Sequence, residues 1–312
     1  MIQIMSTFPL FRLPLVALAV VISHFNLNHF DFFHEDLLPG ENLDEKQNSS
    51  ISIERKGNFP GARSLKIGDA LVPMSNSLDK YGEIELRFYF EDVFDGLKTI
   101  SRYICSFLEN PVYGLMLSSD SHPDQIRRTI DWALSFQKSI KMCYIEDYKI
   151  SDDHFRNVLD VCNSVNKFYF YGKLSPEFGH QFAFENDSIF LRHAFWVNLD
   201  NLLKINCRIC TIWGSNLTNL EVNQYLKHWK TGKFPKLKIA DFEMEDINLE
   251  VLLADLNAVK FPEGKERTFR NASNRDVTID YGFDIRMDNG TLATIVHKGG
   301  NIISKWFYMV VW

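Results

Sequence analysis

Two cysteines spaced as Cys207-Arg208-Ile209-Cys210 are the first residues in this 312-residue chain whose spacing could do chemistry. Thiolates so placed hold a metal or cycle through a disulfide. A structural zinc site needs a second ligand pair, and no further Cys-X-X-Cys and no histidine pair accompanies this one. Both cysteines also occupy apolar positions of a repeat, so they are expected to be buried thiols. Asp152-Asp153-His154 has the residue types of an acid–base site. It directly precedes Phe155, Val158, Leu159, Cys162 and Val165, whose spacing predicts a helix with one apolar face, so Ser151 and Asp152 are expected as its caps. The nine histidines contain no His-Glu-X-X-His. No nucleophile elbow, nucleotide-phosphate loop or dinucleotide fingerprint occurs, and Gly57-Asn58-Phe59-Pro60-Gly61 lacks the lysine and following helix of a phosphate cradle. The residues therefore point to a non-enzymatic protein, with no catalytic residue, metal or cofactor expected.

The elements that would carry such residues show a repeat from about residue 112. Apolar residues fall at the first, fourth and sixth positions of strand-forming stretches: Val112, Leu115, Leu117; Ile140, Cys143, Ile145; Val165, Phe168, Phe170; Cys207, Cys210, Ile212; and Phe234, Leu237, Ile239. Their middle members lie 28, 25, 42 and 27 residues apart, near the period of leucine-rich repeats, with the long step read as an insertion around 172–195. Helices are expected between strands. Pro123 precedes Ile126, Ile130 and Ala133, and Thr218-Asn219-Leu220-Glu221 is a capping box ahead of Val222, Tyr225, Leu226 and Trp229, with Gly232 as the left-handed stop. Each strand–helix unit has an apolar face that its neighbour must cover, so the fold class is α/β, a leucine-rich-repeat-like solenoid over 112–260. Phe283–Arg286 and Leu292–Ile295 flank Asp288-Asn289-Gly290, which predicts a hairpin and, with Trp306–Trp312, a small sheet closing that end. Leu65–Ile67 and Ile84, Leu86, Phe88 and Phe90 predict further strands within 59–111.

The bulk properties set outer limits. With 46% apolar and 24% charged residues the chain should fold around real cores. A net charge of -6 without a basic stripe argues against nucleic acid. The apolar run Leu15–Ile22 is far short of the ~20 residues that cross a bilayer, so no membrane span is expected. Five cysteines scattered through apolar runs fit a reducing compartment, cytoplasm or nucleus. A secreted glycoprotein is the competing expectation: Ala17-Leu18-Ala19 resembles a leader cleavage site, and Asn48, Asn186, Asn216, Asn271 and Asn289 head Asn-X-Ser/Thr triplets. Residues 34–58 are polar and acidic enough to read as a linker. Before it, Leu18, Val21, Ile22 and Phe25 line one face of an expected helix that begins near Pro14. Two clusters among the 26 phenylalanines are candidates for partner contact: Phe8, Phe11, Phe25, Phe30, Phe32 and Phe33, and Phe178, Phe182, Phe184, Phe190 and Phe195.

Phe8-Pro9-Leu10-Phe11-Arg12-Leu13-Pro14-Leu15-Val16-Ala17-Leu18 resembles the opening of the F-box found in large families of roundworm proteins. The stretch from Leu226-Lys227-His228-Trp229-Lys230 through Phe283-Asp284-Ile285-Arg286 to Thr291 and Ala293-Thr294-Ile295 is similar to the type 2 F-box-associated domain of those proteins. The resemblance implies a truncated F-box-like helical element at 8–33 and an F-box-associated region at 205–312. It further implies a substrate receptor of a cullin–RING ubiquitin ligase. The adaptor, and through it the cullin, would be bound by Leu13, Pro14, Leu15, Leu18, Val21 and Ile22, and the body would hold an unknown protein target. A protein-binding module with a degenerate F-box and no ligase attached is the alternative.

Overall fold

The computed structural model describes residues 18–22, 29–34, 50–55, 63–67, 70–78, 84–108, 112, 114–118, 125–146, 150–271, 275–297 and 305–312. The chain is mixed α/β and divides into two compact units, Met1–Leu115 and Met116–Trp312.

In the first unit, β1 (Leu18–Ile22) pairs antiparallel with β2 (His29–His34), and β2 with β3 (Ser50–Arg55). β4 (Arg63–Ile67), β5 (Ala70–Leu78) and β6 (Ile84–Phe90) form an antiparallel meander, and β6 runs parallel to β3. Two expectations meet a different outcome. The stretch expected as the F-box-like helix is strand where it is described: Ala19-Val20-Val21-Ile22 is mostly β-branched, and such side chains fit a pleated surface better than a helix. Part of the expected linker, 50–55, is β3. The meander follows its alternation, burying Ile67, Val72, Met74 and Phe88. Next comes α1 (Val93–Leu108), in a stretch read only for strands; Asp92 accepts from the amide of Asp95 at 2.9 Å, and the helix buries Phe94, Leu97 and Ile100.

β7 (Gly114–Ser118) lies at the junction of the units in the chain. In the second unit α2 (Gln125–Leu134) leads to β8 (Ile140–Glu146), and α3 (Asp152–Leu159) to β9 (Val165–Phe170). Then follow β10 (Ser188–Leu191), α4 (Leu199–Leu202), β11 (Ile209–Ile212), α5 (Asn219–Lys230), β12 (Ile239–Glu243) and α6 (Leu249–Leu252). Strands β8 to β12 are parallel and neighbour one another in sequence order. One register runs Cys143, Phe168, Ile189, Cys210, Ala240 and the next Ile145, Phe170, Leu191, Ile212, Phe242, all of them buried. On β8, β9 and β11 these are the fourth and sixth positions of the sequence repeat, whereas on β12 they are Ala240 and Phe242, three residues beyond the expected Leu237 and Ile239.

The expected insertion at 172–195 instead contains a further strand of the sheet, β10. β10 divides the long step into Phe168 to Ile189 and Ile189 to Cys210, 21 residues each. It was hidden because its first position is Asn186, whose side-chain amide donates to the carbonyls of Asn163 and Val165 at 2.6 and 2.8 Å. A polar side chain there ties the turn to the preceding unit instead of filling the core.

The helices cover one face of these strands. Phe155 stacks on Phe170 at 3.9 Å, and Tyr225 on α5 meets Phe242 at 5.5 Å. The caps fall where expected: Ser151 accepts from the amide of His154, Thr218 and Glu221 complete the capping box, and Gly232 is left-handed at φ 85°. Beyond β12 come the short strand β13 (Val259–Lys260) and a separate antiparallel ribbon, β14 (Arg267–Arg270) with β15 (Asp276–Ile279). The expected hairpin joins β16 (Phe283–Arg286) to β17 (Leu292–Ile295), with Gly290 at φ 91° in its turn. β18 (Trp306–Val311) enters between β12 and β17, antiparallel to both, so the terminal strands continue the parallel sheet instead of capping it as a separate one.

Candidate functional site

The strand face opposite the helices carries a row of aromatic side chains. Alternation that sends Cys143, Phe168 and Ile189 inward sends Tyr144, Tyr169 and Phe190 outward in adjacent registers. At the carboxyl ends of the strands, Tyr144 stacks on Tyr171 at 4.7 Å and Tyr171 on Phe190 at 4.6 Å. Phe190 then meets Trp213 edge-on at 4.9 Å, and Trp213 meets Trp306 edge-on at 5.2 Å. Trp306 is 46% exposed although it is among the largest apolar side chains of the chain. Burial raises the phenol of Tyr169 to about 12, against the pull of Ser188, and raises that of Tyr171, so both rings stay neutral at any physiological pH.

Acids and bases are set unevenly along this row. Arg192 and Lys173 sit by His193, whose pKa is lowered by burial and by those two cations. Asp241 and Glu243 lie on β12, two residues apart and on one face. Asp241 is paired in register with Thr211 and Tyr308, and Glu243 with Trp306. Burial raises Asp241 to about 6, assisted by repulsion from Glu243 and opposed by the Trp213 indole N–H. Glu243 Oε2 accepts the amide of Gly214 at 2.8 Å. Gly214 is itself left-handed at φ 66°, and a Cβ there would stand 3.3 Å from the Cα of His193.

One end of this face is covered by the β14–β15 ribbon. Phe269 packs on Tyr308 and Trp312, and Arg267 grips Asp284 with Nη1 and Nη2 at 2.7 and 2.8 Å. The Thr294 hydroxyl accepts from Arg267 Nη1 and Trp312 Nε1 and donates to Asp284 Oδ1, using its full capacity. Arg267 also lies over the rings of Phe261 and Trp312.

The residues singled out from the sequence fall elsewhere. Leu13, Pro14 and Leu15 lie outside the described residues, while Leu18, Val21 and Ile22 are in β1. Cys207 and Cys210 are both 1% exposed; Cys207 Sγ donates to the carbonyl of Ile209, and its thiol with burial pushes the pKa of Cys210 well up. Both are core thiols. Among the described residues no cluster of His, Cys, Asp or Glu is placed to hold a metal. Asp152 accepts from the amide and hydroxyl of Ser175; burial raises its pKa, but those bonds and Arg156 outweigh it and hold the carboxyl below the usual range. The second phenylalanine cluster separates. Phe178, Phe182 and Phe184 are core, the first two packed on Trp196, whereas Phe190 belongs to the aromatic row. The row was not foreseen, although Tyr144, Tyr169 and Phe190 each follow directly on a fourth-position core residue, a phase that the apolar pattern alone does not single out.

Residues 177–242, which run from before β10 to β12 and include Phe190, Trp213 and Asp241, match the family model described as F-box associated. That stretch is similar to the F-box-associated domain the sequence resemblance implied, and the match both begins and ends earlier than the expected 205–312. Two relatives come from Caenorhabditis elegans. "Uncharacterized protein F59B2.9" is 22% identical over 238 residues, covering 73% of this chain and 54% of the relative. "Skn-1 dependent zygotic transcript 15 protein" is 23% identical over 142 residues, 40% of each chain. The chain spans about half the length, or less, of these curated relatives. No solved structure matches it significantly.

Proposed function

We propose that this protein is a non-catalytic substrate receptor of a cullin–RING ubiquitin ligase, working in the cytoplasm or nucleus, that holds its target protein on the aromatic face of the second unit. The F-box-associated match supports this reading, because it spans β10 to β12, three of the strands that build that face. The sequential parallel order of β8 to β12, with a helix on several of the connections, favours a leucine-rich-repeat-like solenoid, an architecture that offers its strand face to partners. The receptor needs no reactive side chain: it contributes proximity, and transfer of ubiquitin falls to other subunits. Leu13, Pro14, Leu15, Leu18, Val21 and Ile22 are the proposed adaptor contacts.

The strand conformation of residues 18–22 favours a second reading, a binding module with no ligase attached. Affinity capture of the full chain from cells separates the two. The receptor reading expects adaptor and cullin to co-purify, with loss on deletion of residues 8–25. Recovery of soluble full-length chain bound to target but free of adaptor overturns it in favour of the second.

A further inference from the structure

We propose that the corner formed by Trp213, Asp241, Glu243, Trp306 and Tyr308 receives a lysine or arginine side chain from a basic segment of the target protein. This rests on the reading of the aromatic face as the target surface. Asp241 and Glu243 project from one face of β12, about 7 Å apart by strand geometry, and Tyr308 and Trp306 stand beside them in register on β18. On the other side is Trp213, ring to ring with Trp306 at 5.2 Å and 74°. Two acids are thus walled by three aromatic rings, one of them, Tyr308, backed by Phe269 of the ribbon, on a face that no helix covers among the described residues.

Among the described residues neither acid is ion-paired to a lysine or arginine, while other partly buried acids are: Asp187 holds Arg208 and Asp284 holds Arg267. Arg192 and Lys173 act on His193, which also feels the charge of Glu243, and Arg192 acts on Tyr171. A half-buried carboxylate without a counter-charge gains most from a cation that arrives with its own aliphatic stem, because the stem covers the rings while the charge meets the acids. The ring faces add cation–π attraction. An acidic segment would meet repulsion at both carboxylates, so the corner also selects against it.

The test uses the full chain and fluorescein-labelled decapeptides, one lysine-rich and one glutamate-rich with the same spacing, followed by fluorescence polarisation. Binding of the lysine peptide alone is expected, weakened about tenfold or more by Asp241→Asn and by Trp306→Ala. Trp306→Ala changes no charge, so its effect separates the corner from attraction to the acidic chain as a whole. Asp241→Asn removes a buried charge without changing shape, and an unchanged or raised melting temperature shows that the fold is kept. No binding of the lysine peptide, equal binding to wild type and both variants, or equal binding of the glutamate peptide overturns the inference. A chain that still captures adaptor and target while ignoring the lysine peptide sinks this inference alone; one that binds the peptide at the corner but never the adaptor sinks the ligase reading alone.

Discussion

Breaking the Arg267–Asp284 clamp should release the β14–β15 ribbon by an amount that can be worked from its geometry. The two side chains are 25% and 14% exposed and share two charge-assisted bonds, with the Thr294 hydroxyl and the Trp312 indole completing the network. Hydrogen bonds to charged groups contribute about 1.5–3 kcal/mol each when well shielded, and partial exposure moves this pair to the low end. Asp284→Asn keeps the shape and leaves Arg267 facing an amide, a loss of about 2 kcal/mol. Arg267→Met leaves Asp284 with the Thr294 hydroxyl alone and should cost about 2–3 kcal/mol. The double variant strands no charge, so its loss should fall short of the sum by about 1.5 kcal/mol or more. The pH dependence has a definite sign. Burial tends to raise Asp284, but the bonds from Arg267 and Thr294 outweigh it and hold its carboxyl below the usual range. Its contribution is therefore complete above the unfolded value of about 3.9 and fades as pH falls through the folded one. Denaturant unfolding of the four proteins at pH 7 and pH 3, with hydrogen exchange read at 267–270 and 276–279, tests this. Faster exchange in the ribbon than in β10 to β12 is expected. Strictly additive single losses, or a wild-type advantage over Asp284→Asn that does not shrink at pH 3, would refute the reasoning.

Further outcomes follow from other residues. Asp241 has a folded pKa of about 6, above its unfolded value, so the protein should lose stability as pH rises from about 4 to 6. Asp241→Asn should remove that loss and stabilise by about 1–3 kcal/mol at pH 7, and a melting temperature lower than wild type there would count against a buried charge. Gly282→Ala places a Cβ 2.4 Å from the Ile295 carbonyl at φ 134°, whereas Gly232→Ala meets nothing within 4 Å at φ 85°. The first should cost several kcal/mol and the second about 1 kcal/mol, and equal losses in urea unfolding would contradict the close approach. Phe184→Ala should cost about 3–5 kcal/mol because the ring is fully buried; a loss under about 1 kcal/mol would return Phe184 to the surface role first considered for it.

The sequence was most legible where one physical rule acts alone. The capping box at Thr218, the stop at Gly232 and the turn at Gly290 depend on backbone groups within a few residues, and each stands where it was expected. The repeat was legible through its core positions on β8, β9 and β11; it failed at Asn186, where a hydrogen bond replaces burial, and on β12, where Ala240 and Phe242 hold the places expected for Leu237 and Ile239. Residues 18–22 show the opposite failure. Leu18, Val21 and Ile22 satisfy helical spacing, but five residues so rich in β-branched side chains also suit a strand, and pairing with β2 decides between them. The candidate corner was illegible for a topological reason. Trp213 directly follows β11, Asp241 lies on β12 and Trp306 on β18, and only the insertion of β18 beside β12 brings the last of them to the other two.

That insertion orders events in time. β12 ends at Glu243 and its neighbour β18 begins at Trp306, so the intervening chain must fold back before the outer edge of β12 is covered. Until then Ala240 and Phe242 border an open sheet edge, the kind of template on which chains adhere to one another. The same late strand delivers Trp306 and Tyr308 to the candidate corner. A half-made or locally unzipped molecule would therefore lack the corner, and grip on a basic partner would report that the sheet has closed.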